Sequence, residues 1–179
     1  IAAVGVHQTE TIQLYIPAAF VLGVVGTFLF APLHESIHRT AFWSRWLNDT
    51  VARVAGFLLL LPPRYFRSFH LSHHRHTQVS ARDPELVGKN VSTFGRYLIH
   101  VSGVLYWRDG IFILIRHALG QVTAPFIGRT TSQSIINEAR CYLCIYVLLA
   151  VLSTMFQTSV LVSFWLVPAI LGQPILRLY

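Results

Sequence analysis

Two long runs without a charged residue constrain this chain more than anything else in it. The first, "TIQLYIPAAFVLGVVGTFLFAPL", occupies 11–33. As a helix it rises ~34 Å, enough to cross ~30 Å of hydrocarbon with some tilt. Pro17 and Pro32 lie near its ends, where proline does least harm to a helix. The second run, 141–171, is 31 residues long. That exceeds the ~20 residues of one span but falls short of two, so a pair of spans must extend past both of its ends. "FQTS" at 156–159 supplies the turn of a hairpin, and Ser132 or Ser134 supplies an N-cap for its first helix. The predicted fold is therefore all-α and integral to a membrane, with spans at about 11–33, 134–156 and 158–178. Composition agrees: 54 % of the 179 residues are hydrophobic and 12 % charged, against about 25 % charged in a soluble domain.

The remaining segments are of a different kind. "VAGFLLLLPP" at 54–63 is apolar but too short to cross, and Pro62 and Pro63 end any helix there. "ARDPE" and "GKN" mark turns between 79 and 96. Residues 97–119 mix apolar, aromatic and basic groups, which predicts one or two helices lying at the membrane surface. The formal charge is +7, yet the basic residues stand singly, thirteen of fourteen between Arg39 and Arg140. That spacing argues against a nucleic-acid partner and suits the cytoplasmic side of a multi-pass protein. The loop from 34 to about 133, Arg177 and Tyr179 are accordingly expected on that side, with the N-terminus outside. Cys141 and Cys144 fall within the apolar run and read as packing residues, not as a redox or zinc pair. The chain begins at Ile1, has Met155 as its only methionine and ends straight after an apolar stretch. We read it as one domain, 1–179, incomplete at both ends.

Six of the nine histidines lie between residues 34 and 76. His34 and His38 in "HESIH" are spaced i, i+4 and share a helical face. His70, His73 and His74 in "FHLSHHRHTQ" are spaced i, i+3, i+4 and share another, whereas His76 points elsewhere. Neutral imidazole suits iron, zinc, copper and nickel, and five ligands exceed what one tetrahedral zinc needs. His7, His100 and His117 stand alone and read as ordinary interfacial residues. Glu35 and Asp83 are either orienting partners for ligating imidazoles or solvated carboxylates. Arg39, Arg64, Arg67 and Arg75 suit an anionic headgroup, a redox partner or simple anchoring at the membrane surface.

"HESIHRTAF", followed some thirty residues later by "FHLSHHRHTQ", resembles the first two histidine boxes of the membrane fatty acid desaturase and hydroxylase superfamily. "ARDPE" and "GQPILRLY" are similar to stretches of bacterial members, and the resemblance spans about residues 30–179. It implies a centre of two iron ions at the cytoplasmic surface, with His34 and His38 as box-one ligands and His70, His73 and His74 as box-two ligands. It implies dioxygen as co-substrate and electrons from a ferredoxin, rubredoxin or cytochrome-type donor protein. The reaction implied is desaturation or hydroxylation of a lipid acyl chain. The family pattern gives His76 no role. Its third box has no counterpart in these 179 residues, so the chain alone is expected to hold well under two irons and to be inactive.

Two other readings fit part of the pattern. "HESIH" is a literal H-E-x-x-H, the zinc metalloprotease motif with Glu35 as general base, but this leaves the second cluster unused. A metal transporter with a histidine-rich loop would need ionisable groups inside its spans, and 11–33 and 141–171 contain none.

Overall fold

A computed structural model describes residues 12–86 and 92–176, so His7, "GKN", Arg177 and Tyr179 lie outside the described residues. All regular structure among the described residues is helical. Helix α1 (Ile12–Thr27) and helix α2 (Phe30–His38) follow one another almost without interruption. Pro32 cannot donate to the Phe28 carbonyl, and the chain tightens at 28–29 before resuming. Together they form one apolar rod of 27 residues, Ile12–His38, long enough to span a bilayer. The rod therefore runs five residues beyond the predicted end at 33 and delivers "HESIH" as its last turn. It stops where Arg39 adopts φ 66° and the amides of Arg39 and Thr40 return to the carbonyls of Ser36 and Glu35.

Helix α3 (Arg45–Leu58) starts at Ser44, whose side chain accepts from the Leu47 amide. It ends at Leu58, earlier than the two prolines, and Pro63 instead opens helix α4 (Pro63–His76), where a missing N–H costs nothing. Leu33 and Ile37 of α2, Ala52 and Ala55 of α3 and Phe66 of α4 form one buried cluster. Side chains from other helices add hydrogen bonds to carbonyls in the second half of α3 and just after it. Tyr142 and Tyr146 of helix α7 (Arg129–Met155) donate to the carbonyls of Arg53 and Phe57, both at 2.6 Å. Trp165 donates to Leu58 O at 2.8 Å, and Tyr106 caps Leu59 O.

Helices α5 (Phe94–Val101) and α6 (Val104–Ala118) are the two expected between 97 and 119. They meet at 60° across Ser102 and Gly103, and together they are apolar enough to make a broken span as well as a surface pair. Helix α7, with 27 residues, is the second rod long enough to cross. It starts at Gly128, not at Ser132 or Ser134, because nothing in "RTTSQS" breaks the helix; Ser134 bonds back to Thr131 O instead. The turn at Phe156–Ser159 falls where expected. The segment after it is a π-helical turn (Val162–Leu166) running into helix α8 (Val167–Leu176); the described Val162–Leu176 is shorter than a full span. The structure thus has two candidate spans, or three if the bent pair counts as one. Their apolar side chains mostly point out of the bundle, with 11 % and 28 % of the two span windows buried. Such a surface is compatible with helices that face hydrocarbon. Cys141 and Cys144 follow this pattern: they are exposed on α7 and do not pack inside it.

Candidate metal centre

The last turn of α2 and the last two turns of α4 lie side by side, which brings the two histidine pairs into one patch. Ring nitrogens of His34, His38, His70 and His74 all lie within 4.8 Å of one another. His70 is the hub: its Nε2 is 2.8 Å from His34 Nε2 and 2.9 Å from His74 Nε2. One nitrogen can satisfy only one such contact with a single proton. His38 Nε2 and His70 Nδ1 are buried without a hydrogen-bond partner. Glu85 Oε1 approaches the latter to 3.6 Å. Burial, and then the neighbouring imidazoles of His34, His74 and His38, lower the pKa of His70 to about 4. The ring is therefore neutral at physiological pH, the form that offers a lone pair.

Carboxylates hold two of the imidazoles from behind. His34 Nδ1 donates to Glu35 Oε1 at 3.0 Å, and Glu35 Oε2 accepts from Thr40 Oγ1 at 2.8 Å. His73 Nδ1 donates to Asp83 Oδ1 at 2.9 Å. Asp83 is fully buried and also accepts from the amides of Gln78 and Glu85. Burial alone would raise its pKa, but these three donors outweigh burial and hold it below the ordinary carboxylate value. The loop that delivers it, from "ARDPE", bends through Gln78 and Ala81, both at left-handed φ near 63°. A proton fixed on Nδ1 leaves Nε2 as the donor atom, the usual arrangement behind a ligating histidine.

The structure thus gathers four of the five expected ligands. The fifth, His73, sits beside them, 6.0 Å ring-to-ring from His70 and 5.8 Å from His74, with Asp83 holding its Nδ1. His76 turns away and donates to Ser72 O, as its spacing suggested. His117 packs against the Tyr65 ring, and neither it nor His100 belongs to the four-histidine group.

One residue of consequence escaped the sequence reading. Glu138 of α7, 8 % exposed, accepts from the Arg64 amide at 2.8 Å and so anchors the first turn of the helix that carries the second box. The available signal was a lone carboxylate at the edge of an apolar helix.

The fold and the site together define a helical, bilayer-compatible protein with a histidine patch at the end of an apolar rod. The sequence profile of the family described as fatty acid desaturase matches residues 11–179, and the chain belongs to that family of oxidoreductases. It is 28 % identical over 116 residues to an sn-1 oleoyl-lipid 12-desaturase of Picosynechococcus sp., covering 59 % of this chain and 33 % of that protein. It is 32 % identical over 80 residues to a Delta(12) fatty acid desaturase of Mortierella isabellina, covering 44 % and 20 %. A Delta(12)-fatty-acid desaturase of Arabidopsis thaliana is 30 % identical over 95 residues, covering 51 % and 25 %. The matched region is a fifth to a third of the length of these relatives. No solved structure matches.

Proposed function

We propose that this chain carries part of the ligand set of a di-iron lipid desaturase. The observation that supports it is the convergence of four imidazoles from two boxes within 4.8 Å. A first-row metal at about 2.0–2.1 Å from each imidazole sets neighbouring ligand nitrogens roughly 3–4 Å apart, so small side-chain shifts close the set. Two buried, unpartnered ring nitrogens fit the same picture, since such atoms are costly unless something accepts their lone pairs. His34, His38, His70 and His74 would hold one ion. His73, backed by Asp83, would serve a second, which needs ligands beyond these five. Bound iron supplies the oxidation of an unactivated C–H bond by dioxygen and two electrons, chemistry that no protein acid or base performs.

The chain's own residues orient and shield. Glu35 and Asp83 fix the tautomers of His34 and His73, and burial keeps His70 unprotonated. An apolar cavity of about 210 Å³, lined by Leu22, Gly26, Leu29, Trp107, Trp165 and Pro168 among others, opens between α1, α6 and α8 and suits a segment of acyl chain. The relatives' names suggest a lipid-bound acyl group as substrate. We place the patch at the cytoplasmic surface of a multi-pass protein, with the basic residues between spans on the same side and a separate electron-donor protein as partner. The metalloprotease reading loses ground because both Glu35 oxygens are engaged, by His34 and Thr40, instead of facing a free position on a metal.

Titrating the purified chain with Co(II), followed by its visible absorption, tests the centre. Binding should weaken at least about tenfold when His34, His38, His70 or His74 is replaced by alanine, because each removes a ligand. Replacing His117 should change nothing. Equal binding by the His70→Ala variant would refute the proposed centre.

A further inference from the structure

A second concave site lies beside the first and contains no histidine. A groove of about 480 Å³ runs between α2, α3, α4 and the first turns of α7. Four guanidinium groups line it, from Arg39, Arg53, Arg64 and Arg67, against two carboxylates, Asp49 and Glu138. Glu138 is already committed to Arg64, through its amide at 2.8 Å and its Nε at 3.7 Å. Among the described residues, no carboxylate comes within ion-pair distance of Arg39, Arg53 or Arg67.

Three polar atoms of groove-lining residues are buried without a hydrogen-bond partner; Glu138 Oε1 faces Arg64 Nε at 3.7 Å, and two are left unmatched. One is Arg67 Nη1. The other is Ser36 Oγ, on a residue only 2 % exposed. Burial, and then the charge of Arg39, push the Arg67 guanidinium below its ordinary pKa, with Asp49 acting in the opposite sense. A desolvated hydroxyl and a guanidinium left unpaired in one cavity are costly unless a ligand completes them. The ligand must be anionic, compact and rich in acceptor oxygens. Phosphate has that chemistry, and the planar fork of arginine matches it bidentately.

We propose that this groove binds a phosphate group, held by Arg39, Arg53 and Arg67 with the Ser36 hydroxyl at its base. Ser36 and Arg39 belong to the last turn of the apolar rod and its cap, so the groove lies at the depth where a lipid headgroup ends and water begins. An anionic phospholipid headgroup is therefore the expected source. The structure also separates the basic residues that spacing alone left equivalent: Arg39, Arg64 and Arg67 line the groove, Arg53 joins them, and Arg75 does not.

Calorimetric titration of the 179-residue chain in neutral detergent tests this, using short-chain phosphatidic acid in one arm and inorganic phosphate in the other. Saturable one-to-one binding is expected, tighter for phosphatidic acid. Arg67→Gln and Arg53→Gln should each weaken it by about tenfold, the worth of a charge-assisted hydrogen bond. Ser36→Ala should weaken it less, and Arg75→Gln, an equal loss of charge outside the groove, should leave it unchanged. Equal affinity for both probes would keep the site and make free phosphate its ligand. Absence of saturable binding by either probe, or equal weakening in Arg75→Gln and Arg53→Gln, would overturn the proposal. Arg53 is exposed, so its variant remains informative if Arg67→Gln does not fold. Neither iron nor turnover enters the measurement, so this site and the metal centre stand or fall separately.

Discussion

Replacing Glu138 by alanine should loosen the helix that carries the second histidine box, starting from its N-terminal end. That helix, α4, has Pro62 at its cap position with no side-chain cap, and Pro63 in its first turn has no N–H to offer. The Arg64 amide is thus its first free donor, and Glu138 Oε2 takes it at 2.8 Å. Losing a helix cap costs about 0.5–2 kcal/mol, and a hydrogen bond to a charged group contributes about 1.5–3 kcal/mol. Arg64 is partly exposed, so water recovers some of the loss, and about 1–2 kcal/mol is the net expectation. Glutamine keeps an acceptor oxygen in place and loses only the charge facing the helix end, about 0.3–1 kcal/mol. For a chain of this length each kcal/mol moves the melting temperature by about 2–4 °C. Thermal unfolding in detergent, followed by far-UV circular dichroism, should therefore show a drop of about 2–8 °C for Glu138→Ala and about half that or less for Glu138→Gln. Co(II) affinity should fall in the same order. If the two variants melt together, or alanine melts with the wild type, Glu138 does not cap α4 and the argument is wrong.

Three further outcomes follow from the same contacts. Asp83→Asn should leave Co(II) binding at the four-histidine site nearly unchanged, because Asp83 backs His73, which is assigned to the second ion; a loss of about tenfold or more would refute that assignment. The metal-free chain should gain stability as pH rises from about 4 to 6.5. Burial lowers His70 from the ordinary 6.5 to about 4 in the folded chain, so the unfolded chain binds more protons in that window; denaturant midpoints at stepped pH, compared with His70→Gln, check the sign. Gly23→Ala should destabilise by about 1–3 kcal/mol, since its new Cβ would press on the backbone of Pro168 and Gly172. Gly26→Ala, three residues away in open space, should stabilise by about 0.5–1 kcal/mol.

The parts of this molecule that announce themselves in sequence are those governed by local periodicity and solvent. The absence of charge from 11–33 and 141–171 marks apolar helices, two of them long enough to be candidate spans, and the turn at 156–159 falls where the sequence placed it. Histidine spacing identified both boxes because i, i+3 and i, i+4 relations survive folding unchanged. Helix ends were harder. Ser132 and Ser134 were candidate caps, but the helix is capped at Gly128, four and six residues earlier, since capping is a weak preference that neighbouring packing overrides. The 97–119 region read as surface-bound, and the pair bent by 60° at Ser102–Gly103 is also apolar enough for a broken span or a re-entrant loop. Glu138, Arg53 and the groove depend on contacts between residues far apart in the chain, such as the bond from Arg64 to Glu138, 74 positions away. No local pattern encodes these.

The joining of α1 and α2 into one rod has a mechanical consequence. Gly23 on that rod is locked against Pro168 and Gly172 of α8, and His34 lies eleven residues further along. At about 1.5 Å per residue, that sets the imidazoles some 16 Å from the lock. The reach is fixed by backbone geometry, not by flexible loops. Any slide or tilt of α8 will carry the rod with it and move the histidines by a matching amount. Inserting a single residue between 24 and 33 would lift the patch only slightly but turn it by about 100°, away from the second box. An insertion of seven residues, close to two full turns, would restore the facing while raising the patch by about 10 Å. Depth and orientation of this site can therefore be varied independently, by choosing insertions that do or do not complete a turn.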